Sequence, residues 1–265
     1  MPPVLTRGPF TIAEAREAGI QRWHLEGEKW KRLTRGIYVA ADAERGDSRL
    51  VAVAKRFPRA AAFSGLTAVW LHGLDARLSD PIEITVPSHV GVSRPVGMRV
   101  RRALLSDVDV VPVRGLRVTS IVRTIADLSG RLDLTEAVVI ADAALNSGRT
   151  TREKLRGWAA ANSRRPGIRR LRRVIELAEP LAQSPMETRL RMVLVLGGLP
   201  RPRAQVEIRD AAGRFIGRPD LYYEDQKLGT STTELDTGMR SSQTTTGRTT
   251  YSGWEFVSCA SPTPT

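Results

Sequence analysis

The chain has 265 residues, 41 Lys and Arg against 28 Asp and Glu, a net charge of +13 and a hydrophobic fraction of 41%. This composition is typical of a globular protein with a full core, and it excludes a fibrous or wholly disordered chain. The single cysteine, Cys259, excludes an intramolecular disulfide and a cysteine-rich zinc site. No apolar run approaches the roughly 18 residues of a membrane span, and Met1–Phe10 lacks a signal-peptide pattern, so we expect a cytoplasmic protein with no membrane partner.

The excess of positive charge points to a polyanionic partner. Each Lys or Arg placed against a DNA phosphate releases a condensed counterion, so a pI near 10.9 favours nucleic acid. Compositional bias of a GC-rich genome is the alternative, because arginines outnumber lysines 36 to 5. Double-stranded DNA is therefore the expected partner.

The first 45 residues predict a winged helix. A capping-box pattern starts a helix at Ile12–Ala18, and a second short helix follows at Gln21–Glu26. Two strands are then expected, Trp30–Leu33 and Ile37–Ala40. In this fold the second helix enters the DNA major groove and the hairpin lies along the backbone, although an ordinary solvated face also explains the charges. The candidate DNA-binding residues are the basic side chains of these elements: Arg22, His24, Lys29, Lys31, Arg32 and Arg35.

Residues 46–163 predict a mixed α/β domain. Periodicity and Pro/Gly punctuation give helices at Ser48–Phe57 and Gly65–Leu71, strands at Ile82–Val86, Met98–Ala103, Val108–Val113 and Leu116–Val118, and a helix from Ser120 to Leu128. The next helix carries one apolar stripe, formed by Leu134, Val138, Ala141 and Leu145. His72 stands among apolar residues, so we expect a core histidine rather than a ligand.

Residues 164–228 open with a cluster of arginines: Arg164, Arg165, Arg169, Arg170, Arg172 and Arg173. The intervening apolar residues give the same helix a buried face, so the arginines form either a solvated face or a phosphate-binding ridge. Ser184 and Pro185 then start a helix that ends at Leu196. Its apolar positions, which form one face of the helix, are Met186, Leu190, Val193 and Leu194, and Glu187 stands next to that face.

Two carboxylates in this region suggest a metal-dependent nuclease core. Glu187 lies on the helix, and Asp220 lies on the second of two expected strands, Gln205–Arg209 and Arg214–Tyr223. Carboxylates gathered on a sheet hold Mg²⁺, which activates a water and stabilises the charge of the scissile phosphate. Such a site needs a third carboxylate on the next strand, and Asp225 is too close to Asp220 for that role.

The residues around Asp225 and those that follow predict different structures. A charged hairpin tip is expected at Glu224–Lys227. From Thr230 onward, 17 of 36 residues are Ser or Thr and only two are arginines. Without strand alternation or a helical stripe, residues 229–265 predict a disordered tail.

Two family resemblances cover about residues 10 to 228. Thr11–Ala40 and the motifs Phe63–Ala68 and Leu71–Leu74 resemble AbiEi-type antitoxins, which bind DNA through a winged helix and repress their own operons. The later motifs resemble actinobacterial proteins that join this front end to a domain like the very-short-patch-repair endonuclease: Arg123–Leu128, Ala141–Leu145, Ser184–Glu187, Val206–Arg209 and Gly217–Leu221.

The resemblance implies that Glu187 and Asp220 are acidic members of a restriction-endonuclease-like site, with Asp220 a Mg²⁺ ligand only if that site is functional. The family continues with an acidic strand, a histidine, a basic helix and a final Val-Arg-Leu strand. This sequence departs from the pattern after Leu228, so the two carboxylates are expected to be vestigial and no cofactor is expected.

A frameshift after about Leu228 explains that departure. Shifted by one base, the codons of Ser231–Asp236 permit Asp-Tyr-Gly, and those of Asp236–Met239 permit His-Arg-Asp-Ala. Gln243–Arg248 permits Asp-Asn-x-Arg-Gln-Asn, and Trp254–Ala260 permits Gly-Val-Arg-Leu-Leu-Arg-Phe. The alternative is a genuine Ser/Thr-rich linker. A truncated domain would leave a half-built sheet edge at Arg214–Tyr223.

Together these patterns predict an α+β protein with a winged helix at 1–45, a mixed middle domain at 46–163, an incomplete nuclease-like domain at 164–228 and a disordered tail at 229–265. The leading hypothesis is a DNA-binding regulator of the antitoxin type with an inactive nuclease-like domain. A working Mg²⁺-dependent endonuclease and an interaction protein that neutralises a neighbour-encoded toxin are the alternatives.

Overall fold

The computed structural model describes residue 5 and residues 8–41, 48–74, 78, 80–92, 97–234, 246–251 and 254–261. The chain divides into two compact units, Met1–His72 with Arg77–Ser120, and Gly73–Ala76 with Ile121–Thr265. The architecture is α+β. None of the described helices is long and apolar enough to cross a membrane.

The first unit holds two sheets. Its elements in chain order are β1 (Phe10–Thr11), α1 (Ile12–Glu17), a 3₁₀ helix (Arg22–Glu26), β2 (Trp30–Thr34), β3 (Ile37–Ala40), α2 (Ser48–Ala54), β4 (Ala62–Phe63), α3 (Gly65–Leu71), β5 (Ile82–Val86), β6 (Met98–Arg102), a 3₁₀ helix (Asp107–Asp109), β7 (Val110–Val113) and β8 (Leu116–Thr119). One sheet is antiparallel with the order β1-β3-β2. The other has the order β6-β5-β4-β8-β7 and is mixed, since the pairs β5–β6 and β4–β8 are parallel.

A hydrophobic core underlies each sheet of this unit. The five-stranded sheet packs on α2 and α3 through a cluster that includes Leu50, Val53, Phe63, Leu71, Ile82, Ile84, Val86, Val100, Leu116 and Val118. The small sheet closes over a second cluster, Leu5, Phe10, Ala15, Leu25 and Tyr38. The structure confirms the expected strands β2, β3, β5, β6 and β8, whereas β1 and the central strand β4 were not predicted from the sequence. The expected strand Val108–Val113 starts at Val110, after a 3₁₀ turn.

The second helix of the expected winged helix is not an α-helix. The structure has five residues of 3₁₀ helix, Arg22–Glu26, in place of an α-helix at Gln21–Glu26. Gly27 closes it in an extended conformation, so only one and a half turns fit before the hairpin. A 3₁₀ helix rises about 2 Å per residue, which makes this element roughly 10 Å long and shorter than an ordinary recognition helix.

The second unit begins with helices and ends with strands. Its elements are α4 (Ile121–Ser129), α5 (Leu134–Asn146), α6 (Arg152–Ala161), α7 (Ile168–Leu177), α8 (Pro185–Leu196), β9 (Arg203–Ala204), β10 (Ile208–Arg209), β11 (Phe215–Gly217), β12 (Leu221–Tyr223), β13 (Leu228–Glu234), β14 (Thr246–Tyr251) and β15 (Trp254–Ser261). Helix α5 lies at the centre, in contact with α4, α7 and α8. It is therefore buried on nearly every side, rather than along the single stripe that its periodicity suggested.

The prediction of a disordered tail is wrong for the described residues of 229–265. Strands β13, β14 and β15 join β12 and β9 in a sheet of order β14-β15-β13-β12-β9. The expected turn at Glu224–Lys227 is confirmed, and it brings β13 antiparallel to β12 with Leu221 opposite Thr230. Threonine is β-branched and favours strands, a preference that a composition rule for disorder ignores. Of the segments on which the frameshift prediction rests, residues 235–239 and 243–245 lie outside the described residues.

Candidate functional site

The basic residues of the N-terminal hairpin are exposed. Arg22 and His24 lie on the 3₁₀ helix, Lys31 and Arg32 on β2, and Arg35 in the β2–β3 turn. Lys29, just before β2, is also exposed. The 3₁₀ helix contacts β2, so the predicted DNA-binding residues lie on neighbouring elements of one small subdomain.

The two tryptophans of this subdomain have different surroundings. Trp30 packs edge-on against Phe10 at 5.1 Å between ring centroids and belongs to the core. Trp23 is 68% exposed and stacks on His24 with ring centroids 3.4 Å apart. The exposed Trp23–His24 pair forms a flat surface beside the basic hairpin, where it is available to contact sugars or phosphates.

A capping box starts helix α1, and an ion pair from Lys55 joins the helix to the segment after α2. Glu14 Oε2 accepts from the backbone N–H of Thr11 at 2.6 Å, and Thr11 Oγ1 accepts from the backbone N–H of Glu14. Lys55 Nζ donates to Glu14 Oε1 at 2.7 Å. Partial burial opposes the charged form, but Lys55 and the Thr11 N–H outweigh it and lower the pKa of the Glu14 carboxyl.

A buried polar cluster explains the motif Phe63–Ala68. Gly65 begins α3 at φ +57, and a Cβ there would collide with the Glu83 carboxylate, which is almost fully buried. Thr85 Oγ1 donates to Ser64 Oγ at 2.8 Å, and Thr67 Oγ1 accepts from the backbone N–H of Glu83 at 2.9 Å. The motif therefore needs glycine at 65 for both space and backbone conformation.

The expected core role of His72 is confirmed. Its ring is 8% exposed, and Nε2 lies 2.8 Å from the carbonyl oxygen of Thr119. Hydrogen bonding to backbone accounts for a buried histidine without a metal.

Two buried ion pairs organise the helices of the second unit. Asp127 accepts from Arg123 at 3.0 Å and from Arg165 at 3.1 Å. Asp142 Oδ2 accepts from Arg191 at 2.6 Å, and both side chains are almost fully buried. Burial raises the pKa of the Asp142 carboxyl, and Arg191 opposes that shift. These pairs give Arg123–Leu128 and Ala141–Leu145 structural roles.

Asp142 also fixes the orientation of α8. Thr188 Oγ1 donates to Asp142 Oδ2 at 2.7 Å, and Arg191 donates to the carbonyl of Leu177 at 2.6 Å. The buried residues of α8 are Glu187, Thr188, Arg191 and Met192. The apolar face of α8 is not the buried one: Met186, Leu190 and Leu194 are only half-buried and Val193 is 68% exposed. The partners of the polar face lie on another helix, and periodicity cannot reveal them.

The structure brings Glu187 and Asp220 to the same side chain. Gln205 Nε2 donates to Glu187 Oε2 at 3.1 Å and to Asp220 Oδ1 at 3.0 Å. Glu187 Oε2 also accepts from the backbone N–H of Gln183 at 3.0 Å. Asp220 directly precedes β12 rather than lying within a strand, and Gln205 stands in a turn at φ +54. Sequence analysis missed Gln205, because a turn glutamine has no recognisable spacing to either carboxylate.

The Gln205 amide links the two carboxylates of this cluster. Each carboxylate uses an oxygen to accept from the Gln205 amide, and Asp225 lies in the turn after β12. Among the described residues, no group of three His, Cys, Asp or Glu side chains is placed to hold a metal ion. Mg²⁺ sites are built from oxygen ligands, chiefly carboxylates and water.

Comparison with known proteins finds a similarity between part of this chain and an antitoxin domain. Residues 60–177, which run from β4 to α7, match the family model of the AbiEi antitoxin C-terminal domain.

Curated relatives match over a longer segment. The chain is 29% identical over 162 residues to an uncharacterized protein found in two strains of Mycobacterium tuberculosis. That segment is 61% of this chain and spans 58% of the length of the relatives.

Proposed function

We propose that this protein is a DNA-binding regulator of the antitoxin type, whose N-terminal hairpin binds duplex DNA and whose acidic pair does not cleave it. The observation that carries the proposal is the exposed basic surface of the 3₁₀ helix and the β2–β3 hairpin, in a chain that also contains an antitoxin-type domain. The same domain supports a toxin as a second partner.

Phosphate contacts dominate the proposed interface. Lys31, Arg32 and Arg35 stand on or beside a strand and a tight turn, a shape that follows the DNA backbone. The neighbouring 3₁₀ helix is too short to present several turns of side chains to base edges. We therefore expect strong salt dependence and only a few base contacts, made from Arg22, with the Trp23–His24 pair against sugars or phosphates.

A gel shift with charge-reversed hairpin residues tests this function. Replacing Lys31, Arg32 and Arg35 by Glu should abolish the shift of a duplex from the promoter of the protein's own gene. The circular dichroism spectrum should not change, because these side chains are exposed. The control variant carries the same change of charge at the exposed residues Arg59, Arg117 and Arg214. An unaltered shift in the hairpin variant, or an equal loss in the control, contradicts the proposal.

A Mg²⁺-dependent endonuclease is the second candidate, because Glu187 and Asp220 share one hydrogen-bonding partner. Two carboxylates would hold the ion weakly and leave its water poorly placed, so cleavage is not expected. Incubation with supercoiled plasmid and Mg²⁺ or Mn²⁺ should leave the plasmid intact. Nicking that disappears in both Glu187→Ala and Asp220→Ala would make the endonuclease the better account.

A further inference from the structure

Helix α7 presents arginines to solvent along one face. Its buried residues are Ile168, Leu171, Val174, Ile175 and Leu177. The opposite face carries exposed arginines at three- and four-residue spacing, which places them side by side on the helix. Arg156, on α6, lines the groove between α6 and α7 together with Arg172. We name this set the arginine ridge: Arg156, Arg169, Arg172 and Arg173.

Several other arginines nearby have structural roles. Arg170 donates to the carbonyl of Leu132 at 2.7 Å, and Arg152 donates to the carbonyl of Ala178 at 2.7 Å. Arg165 pairs with Asp127 and lies over the Trp158 ring at 5.3 Å. These contacts stabilise the helices and explain the presence of Arg152, Arg165 and Arg170. None of them involves a residue of the arginine ridge.

Structural contacts of this kind explain little of the arginine ridge. Arg173 pairs with Glu176 at 2.8 Å, but both side chains are largely exposed, so this pair adds little stability. Within the described part of the chain, Arg169 and Arg172 are in no ion pair. Arg156 has an acidic neighbour, because hydrogen bonds from the Glu153 backbone and from Thr151, together with the charge of Arg156, lower the pKa of the Glu153 carboxyl. Arginines three and four residues apart on a helix repel each other weakly, and a bound anion would offset that repulsion in addition to the Glu176 carboxylate.

The groove beside the ridge has room for an anion. It is a cavity of about 260 Å³, lined by Arg156 and Arg172, with Ala159, Ala160, Ile175 and Glu176 as the remaining lining residues. The small side chains of the two alanines leave the guanidinium groups accessible. Arginine binds phosphate through two parallel N–H donors, which a lysine cannot reproduce.

We propose that the arginine ridge is a second contact with duplex DNA, which binds the phosphate backbone without reading bases. The proposal rests on the DNA-binding function proposed above. A membrane surface does not suit the ridge, because the apolar face of α7 is buried in the unit. Single-stranded nucleic acid is also disfavoured, because the ridge carries no exposed aromatic side chain on which a base can stack.

Salt titration of DNA binding tests the ridge in the full chain. The variant Arg169→Glu/Arg172→Glu should lower the slope of log K against log salt by about 2, since each phosphate contact contributes about 0.9. At about 0.1 M salt the affinity should fall roughly 50-fold, from the same counterion release. The control Arg59→Glu/Arg117→Glu changes the net charge equally at exposed residues outside the ridge, and should keep the slope.

The outcomes separate the ridge from the hairpin. A wild-type slope in the ridge variant overturns this inference, and so does an equal decrease in the control. If the hairpin variant binds normally while the ridge variant is weakened, the hairpin interface fails and the ridge stands. A larger loss for an RNA duplex of the same sequence than for DNA overturns the choice of DNA. If the glutamate variant unfolds, Arg169→Gln/Arg172→Gln should still lower the slope by about 2.

Discussion

Replacing Asp142 by alanine should destabilise the second unit strongly. The substitution leaves the fully buried Arg191 guanidinium without its counter-charge, and Thr188 without its acceptor. Removing one partner of a buried ion pair costs about 3–5 kcal/mol. At roughly 2–4 °C per kcal/mol for a protein of this size, the Tm should fall by about 10 °C or more. Urea and thermal unfolding followed by circular dichroism give both values.

Two further variants test whether this loss of stability comes from breaking the buried Asp142–Arg191 ion pair. Asp142→Ala/Arg191→Met removes both charges, so it should be more stable than Asp142→Ala alone. Glu176→Ala breaks the exposed pair with Arg173 and should cost less than about 1 kcal/mol. A loss below about 1 kcal/mol for Asp142→Ala, or a double variant less stable than that single variant, would refute the proposed anchoring of α8.

The other three predictions concern Gly65, Glu14 and the reading frame of the gene. Gly65→Ala should lower the free energy of unfolding by roughly 2 kcal/mol or more, because it adds a clash with Glu83 to an unfavourable φ; a neutral result in urea unfolding would contradict this. The Glu14 carboxyl has a lowered pKa, so its contribution is present above the unfolded value of 4.5 and is lost as pH falls through the folded pKa. The stability advantage over Glu14→Gln should therefore shrink between pH 5 and 3 in unfolding measurements, and a constant difference would show that Lys55 does not act on this carboxyl. Sequencing the gene tests the frameshift: an alternative frame open from Leu228 to its Gly-Val-Arg segment supports it, and an earlier stop codon refutes it.

Local signals predicted the elements that local interactions form. The capping box at Thr11 and Glu14 is present, with α1 ending one residue earlier than expected. Strand Ile82–Val86 and helix Gly65–Leu71 have the expected bounds, because alternation and a clear Ser64 start mark them. Gly and Pro mark the ends of an element correctly where that element packs against its neighbours in sequence.

The features that the sequence did not reveal depend on pairs of residues or strands that are far apart in the chain. The orientation of α8 depends on the pairing of Arg191 with Asp142, 49 residues earlier in the chain. The predicted half-built edge at Arg214–Tyr223 is absent for β12, since β9 and β13 pair with it on its two sides. Strand pairing of a Thr-rich segment depends on an available partner edge, which composition does not show.

The candidate acidic site was partly predictable. The resemblance that identified Glu187 and Asp220 rests on a helix start and a Pro-Asp pair, and the structure brings the two side chains to one amide. Gln205 lies between the two carboxylates because of the geometry of its turn, which the sequence does not indicate. The basic hairpin was predictable in its strands and charges. The exposure of Trp23 depends on the 3₁₀ helix that carries it, and the partial burial of Trp30 depends on its packing against the core of the small sheet.

The salt dependence of DNA binding by the hairpin variant tests the central claim most directly. Fluorescence anisotropy of a labelled promoter duplex gives log K against log salt for the full chain and for Lys31→Glu/Arg32→Glu/Arg35→Glu. The account predicts that the slope of the variant is smaller by about 3, one unit for each lost phosphate contact. A variant with the slope and affinity of the unchanged chain would contradict a DNA interface on this hairpin.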